Sequence, residues 1–155
     1  MMQSFEAHSL DDMAGFASWL AAQLRPGDRV LLSGEMGSGK TTFVSLVAKA
    51  LHSRTLVSSP TFTLIQKYEA DLPLVHMDLY RLESEQALLS LDIEAYLSDS
   101  RTVVFIEWPE RLGRLRPEDY LKIDFSYLPA FSEYRKVSVL GVGGRWDVKE
   151  SFLLG

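Results

Sequence analysis

The sequence predicts an α/β fold, a three-layer sandwich built on a mixed sheet that includes antiparallel strands. Three observations carry this. Val30-Leu31-Leu32 and Val103-Val104-Phe105-Ile106 are short continuous apolar runs, the pattern of strands covered on both faces. Segments with apolar residues at helical spacing alternate with them. Two strand-like segments, 62–68 and 74–80, are joined only by Ala70-Asp71-Leu72-Pro73 and its flanks. That link is too short for a parallel crossover, which needs about a dozen residues, so this pair is antiparallel.

Each element follows from local chemistry. Ser9 reads as a helix N-cap with Asp11 and Asp12 in the positive first turn. Leu10, Met13, Phe16, Ala17, Leu20 and Leu24 then keep the helical period until Pro26-Gly27 stops it. Residues 29–33 form a buried strand, and 40–51 a helix with Phe43, Leu46, Val47, Ala50 and Leu51 on one face. In 62–68, Phe62, Leu64, Gln66 and Tyr68 share one side, and 74–80 resumes as a strand. Residues 83–97 read as helix in one or two pieces, with Leu88, Leu89, Ile93, Tyr96 and Leu97 as the apolar stripe. Pro109 closes the strand at 103–108. Leu121, Ile123 and Phe125 alternate, as do Val137 and Val139, giving two late strands that pair together or extend the sheet edge. Gly143-Gly144-Arg145-Trp146 reads as a loop before a short tail, either a lid or partner segment or a frayed end.

Length and composition narrow the function classes. A chain of 155 residues fits one domain spanning 1–155. The net charge of -5 argues against a broadly basic nucleic-acid surface. There is no cysteine, which excludes disulfides and thiolate metal sites, and three histidines disfavour a dedicated zinc site. No apolar run approaches the roughly 20 residues that span a bilayer. The first eight residues lack the pattern of an export signal. A cytoplasmic protein without membrane association is expected.

Gly34-Glu35-Met36-Gly37-Ser38-Gly39-Lys40-Thr41 satisfies G-x-x-x-x-G-K-[ST] at every fixed position, with an apolar strand before it and an amphipathic helix after it. This is a P-loop, and it makes the predicted sandwich P-loop NTPase-like. Glycines let the loop turn sharply so that its N–H groups and the helix N-terminus form an anion cradle. Lys40 is placed to reach the β- and γ-phosphates, and the Thr41 hydroxyl to ligate Mg²⁺. The cofactors expected are ATP or GTP with Mg²⁺. Hydrolysis also needs an acid near the cation. Glu107 at the end of its apolar strand is the better candidate, holding Mg²⁺ through water or activating the attacking water; Asp78, late in its strand, is the second.

Four strings in order give a family resemblance. They are Gly34 to Phe43, Ser59-Pro60-Thr61-Phe62-Thr63-Leu64, His76-Met77-Asp78-Leu79-Tyr80-Arg81 and Ile106-Glu107-Trp108-Pro109-Glu110-Arg111. Together they resemble the TsaE (YjeE) family of bacterial ATPase subunits from the tRNA threonylcarbamoyladenosine machinery, over about residues 9–152. The resemblance implies a P-loop α/β sandwich that binds ATP and Mg²⁺ and hydrolyses ATP weakly alone, faster with its partners TsaD and TsaB. Their product is the N6-threonylcarbamoyl group on adenosine 37 of tRNA, so the association with tRNA is indirect. Residue by residue, it implies Lys40, Glu107 and Asp78 as catalytic groups, and Thr41 and Glu107 as Mg²⁺ ligands. It implies nucleotide contacts from Glu35, Met36, Gly37, Ser38, Gly39, Lys40, Thr41 and Thr42. Thr61 matches the switch threonine, Trp108 the tryptophan beside the acid, and Ser9 lies near the segment that closes over the base.

Other readings of the same motif are a small-molecule kinase and a nucleotide-dependent binding module without catalysis of its own. His76 reads either as a phosphate or partner contact or as a strand histidine satisfied within the fold. Arg111 and Arg114 stand either toward phosphate or toward solvent.

Overall fold

The computed structural model describes residues 2–35, 37–54, 65–82, 84–128 and 131–146. The chain runs through β1 (Met2–Ala7), α1 (Leu10–Gln23), β2 (Arg29–Gly34), α2 (Lys40–Ala50), β3 (Ile65–Tyr68) and β4 (Leu74–Asp78). Then come α3 (Glu85–Ser90), α4 (Ile93–Ser98), β5 (Val103–Glu107), a 3-10 segment (Pro109–Leu115), β6 (Tyr120–Leu128), β7 (Phe131–Val142) and a 3-10 turn (Gly144–Trp146). Among the described residues, seven strands form one sheet in the order β1-β7-β6-β2-β5-β4-β3. β6, β2, β5 and β4 are parallel, while β3 at one edge and β7 and β1 at the other are antiparallel. The mixed sheet is the one predicted.

Strand alternation divides the core. Val30, Leu32, Phe105, Leu121, Ile123 and Phe125 face α1 and α2, whereas Leu31, Val75, Met77, Val104 and Ile106 face Leu88, Ile93 and Leu112 on the other side. Helices therefore cover both faces of the parallel strands. Toward β6 the second face turns polar, where Lys122 and Asp124 remain 32% and 45% exposed.

α1 starts as its sequence predicts. Ser9 Oγ accepts the N–H of Asp12 at 3.1 Å, and the Asp12 carboxylate accepts the N–H of His8 at 2.9 Å. α2 is fixed by stacked rings. Phe43 is fully buried, with Phe16 at 5.1 Å and Phe125 at 5.5 Å between centroids. Each such pair contributes about 0.5–1.5 kcal/mol beyond area burial. These rings set the angle at which α2 presents its N-terminus.

Several features differ from the sequence expectation. The first residues form β1, which pairs with β7 from Met2↔Leu140 to Ala7↔Arg135. The helical stretch over 83–97 is in two pieces, as its sequence allowed, divided at Asp92, which adopts a left-handed conformation (φ 55, ψ 32) as the N-cap of α4. The strand expected over 74–80 ends at Asp78. Gly144–Trp146 is neither frayed nor a lid. Trp146 is buried in the core, and Arg145 binds the Asp28 carboxylate with two hydrogen bonds of 3.0 and 2.9 Å. The expected strand residues Phe62 to Leu64 lie outside the described residues. Among the described residues, no helix is long and apolar enough to cross a membrane.

Candidate active site

Three chain segments end at one place. β2 runs out at Gly34, and its Leu32 pairs with Glu107 at the end of β5. Glu107 in turn pairs with Asp78 at the end of β4. The parallel arrangement thus delivers the glycine loop and both acids to the carboxyl edge of the sheet, where open α/β folds bind ligands.

The loop geometry depends on glycine at two positions. Gly39 caps α2 at φ 109. Gly34 has φ 147, and a Cβ there would stand 2.5 Å from the Phe125 carbonyl and 2.7 Å from Ser38 Oγ. A side chain is blocked at Gly34 and strained at Gly39 by its positive φ. No side chain caps α2, so its first-turn N–H groups project beyond the helix end, where the helix dipole is positive.

Lys40 is only 6% exposed. Its Nζ donates to the Gly34 carbonyl at 2.7 Å, lies 3.8 Å from Glu107 Oε1 and sits 5.0 Å from the centre of the Trp108 ring. Thr41 Oγ1 donates to Glu107 Oε2 at 3.5 Å. The buried carboxylate of Glu107 also meets His76 Nε2 at 2.6 Å. Asp78 accepts the Tyr80 N–H at 3.0 Å. Burial is the main force pushing its carboxyl pKa above the usual range; the charge of Glu107 adds to this, against the Tyr80 hydrogen bond, His76 and Lys40. Trp108 occupies the left-handed region (φ 60, ψ 52), a strained conformation for so bulky a residue. It turns the chain sharply after Glu107, and its ring packs 4.9 Å from that of Tyr80. A cleft of about 250 Å³ is lined by Ser33, Gly34, Glu35, Lys40, Trp108 and Glu110.

The donor set fits a polyphosphate with a hard cation. Ser38 Oγ is buried without a hydrogen-bond partner among the described residues, a cost that an incoming acceptor such as a phosphate oxygen would relieve. Among the described residues no cluster of three or more His, Cys, Asp or Glu could hold a metal. Mg²⁺ needs no such cage, since it keeps waters and takes one or two protein oxygens beside substrate phosphates. Thr41 and Glu107 are oxygen donors of that kind.

The predicted residues are therefore brought together at Gly37 to Thr41, Asp78, Glu107 and Trp108. Glu35 lines the cleft, Thr42 is exposed on the first turn of α2, and Met36 and Thr61 lie outside the described residues. Ser9 uses its side chain to cap α1. Next to it, His8 stacks on Tyr134 at 4.3 Å, and Arg135 follows in β7. Sequence reasoning missed Arg135. Its Nε donates to the Ser38 carbonyl at 3.0 Å, and its guanidinium lies 4.1 Å from the centre of the Tyr127 ring. Glu110, in the family-like string after Glu107, also reaches the cleft. Arg111 instead donates to the carbonyl of Leu82.

A family model described as threonylcarbamoyl adenosine biosynthesis protein TsaE matches residues 7–136. The tRNA threonylcarbamoyladenosine biosynthesis protein TsaE of Bacillus subtilis (strain 168) is 34% identical over 139 residues, 89% of this chain and 85% of that one. The Streptomyces coelicolor protein of the same name is 41% identical over 141 residues, 87% of this chain and 94% of that one. The crystal structure of Bacillus subtilis YdiB superposes with a TM-score of 0.79 at 26% identity, covering 94% of this chain and 89% of that chain. With a family match across most of its length, a relative 34% identical over 89% of the chain and the same fold in a solved structure, this chain belongs to the TsaE family.

Proposed function

We propose that this protein is the ATP-hydrolysing accessory subunit of the complex that places the N6-threonylcarbamoyl group on adenosine 37 of tRNA. Family membership supports the pathway. One structural observation supports the chemistry. Lys40 Nζ and Thr41 Oγ1 each lie within 4 Å of a Glu107 carboxylate oxygen, at 3.8 and 3.5 Å, at the mouth of a glycine loop.

The loop amides and the N-terminus of α2 hold the phosphate chain, and Lys40 leaves the Gly34 carbonyl to meet the β- and γ-oxygens. Ser38 Oγ donates to a phosphate oxygen. Thr41 and Glu107 are the groups that would hold Mg²⁺, which supplies neutralisation of the charge on the β- and γ-phosphates. Glu107, or Asp78 beside it, orients the water that attacks the γ-phosphorus; the bond to the β-bridging oxygen breaks, and ADP and phosphate leave. Trp108 closes one wall of the cleft and keeps Lys40 over its ring face. The residues position and neutralise, and no covalent step falls to the protein.

The partners in this reading are TsaD and TsaB, with tRNA reached through them in the cytoplasm. The acidic balance of the chain, at -5, suits docking on protein better than an unaided grip on RNA. Phosphate release from ATP, measured alone and with the TsaB–TsaD pair, is the test. Slow release accelerated by the pair is expected. Transfer to an added metabolite would establish a kinase instead, and no release in either case a binding module.

A further inference from the structure

Glu107 has two carboxylate oxygens in different company. Oε1 is turned to Lys40 Nζ at 3.8 Å, and Lys40 lines the cleft. Oε2 lies 2.6 Å from His76 Nε2 and 3.5 Å from Thr41 Oγ1. Lys40 and Thr41 are the residues a triphosphate and its cation would recruit. His76 is then the contact on Glu107 for which the ligand does not compete.

The sheet explains how His76 gets there. It is in β4 opposite Phe105, two residues before Asp78, whose partner is Glu107. Residues two apart on neighbouring strands share a face, so the ring lies directly below the carboxylate. The His76 side chain is fully buried. An ionised carboxylate can only accept, so Nε2 carries the hydrogen in this contact. The other ring nitrogen, Nδ1, is buried without a hydrogen-bond partner among the described residues. A buried unsatisfied ring nitrogen is unfavourable, and an apolar strand residue would avoid it. Among the described residues, the ring's one polar contact is Glu107.

We propose that His76 is a positioning residue for Glu107. It holds Oε2 and so fixes the carboxylate rotamer, leaving Oε1, turned to Lys40, for the cation or the attacking water. This rests on the hydrolase reading above.

The test compares two amides of different reach. His76→Gln can place an N–H where Nε2 stands, whereas His76→Asn falls one bond short. Folding of each is verified by thermal melts. ATP affinity is then measured by calorimetry with Mg²⁺ and with EDTA, and kcat by phosphate release. We expect His76→Asn to lose roughly tenfold of the affinity that Mg²⁺ adds, and roughly 10- to 100-fold of kcat, the usual size of an outer-shell loss. Affinity in EDTA should stay within about twofold, because the phosphate cradle is intact. His76→Gln should recover most of both. In a Glu107→Gln background His76→Asn should change neither further. Asn and Gln behaving alike, or an equal loss in both backgrounds, would overturn the inference while leaving the hydrolase reading intact. A parent protein that binds no nucleotide under either condition would remove that reading and the inference with it.

Discussion

Asp78 and Glu107 stand side by side at the carboxyl ends of β4 and β5, paired in register across two parallel strands. Placing two acids there disfavours ionising both. Burial does most to raise the Asp78 pKa, and the neighbouring Glu107 charge adds to it. A carboxyl with a raised pKa in the folded state binds a proton that the unfolded chain has already released. Its contribution to stability is therefore largest at low pH and falls as pH rises from the ordinary Asp value toward the raised one. Above that window it is constant. Asp78→Asn should remove this slope and leave the nucleotide-free protein more stable than the parent near neutral pH. Melts of both proteins across about pH 4 to 7 decide the matter. An unchanged difference between them across that range would remove Asp78 as the strained acid.

Lys40→Ala should cost about 2–3 kcal/mol of triphosphate affinity, or roughly 30- to 150-fold in Kd, since hydrogen bonds to a charged group are lost. The fold should survive, because among the described residues Nζ bonds one loop carbonyl, lies near one acid and sits over the Trp108 ring, none of them a buried hydrophobic residue of the core. Calorimetric titration of the folded variant with Mg-ATP checks this. Affinity equal to the parent's would take Lys40 out of the phosphate site.

Glu107→Ala should separate binding from chemistry. Its carboxylate contacts Lys40, Thr41 and His76 rather than the loop amides, so the phosphate cradle stays whole. Hydrolysis should fall by about 10²- to 10⁴-fold, the range for losing a positioned acid or base, with ATP affinity reduced much less. Single-turnover phosphate release beside calorimetry gives both numbers. Parent-like turnover would eliminate Glu107 and pass the role to Asp78.

What could be read from the sequence was what is local in it. The glycine loop is eight consecutive residues, and Glu107 and Asp78 close apolar runs, so each is visible without knowing the fold. The parallel core was visible for the same reason, in Val30 to Leu32 and Val103 to Ile106. β1 was not, because its inward positions include Gln3 and Ala7 around one Phe5, too weak an alternation to stand out. Arg29 was hidden in an apolar strand. It is 5% exposed, and its guanidinium is satisfied by the carbonyls of Leu97, Asp99 and Thr102 near the end of α4, where a cation suits the helix dipole. Arg145 and Asp28 meet across 117 residues, and Arg135 reaches Ser38 across 97. Such contacts exist only once strand order and hairpin register are fixed.

That last contact carries a consequence for binding. Arg135 and Tyr127 are cross-strand partners near the turn between β6 and β7. The guanidinium stacks on the Tyr127 ring at 4.1 Å while its Nε holds the Ser38 carbonyl at 3.0 Å. The Tyr127 hydroxyl stands 3.1 Å from where a methyl on Gly37 would lie. The hairpin therefore braces the part of the loop whose amides must converge on an anion, and a braced loop loses less entropy on binding. Arg135→Ala should weaken Mg-ATP binding roughly tenfold, the worth of one charge-assisted hydrogen bond of about 1.5 kcal/mol. Arg135→Lys should not rescue it, because an ammonium cannot stack flat on Tyr127 and donate from the Nε position at once. Hydrogen exchange at Gly37 and Ser38 in the nucleotide-free protein should speed up in both variants, with melting temperature little changed. If exchange and affinity match the parent in both, the loop holds its shape without the hairpin.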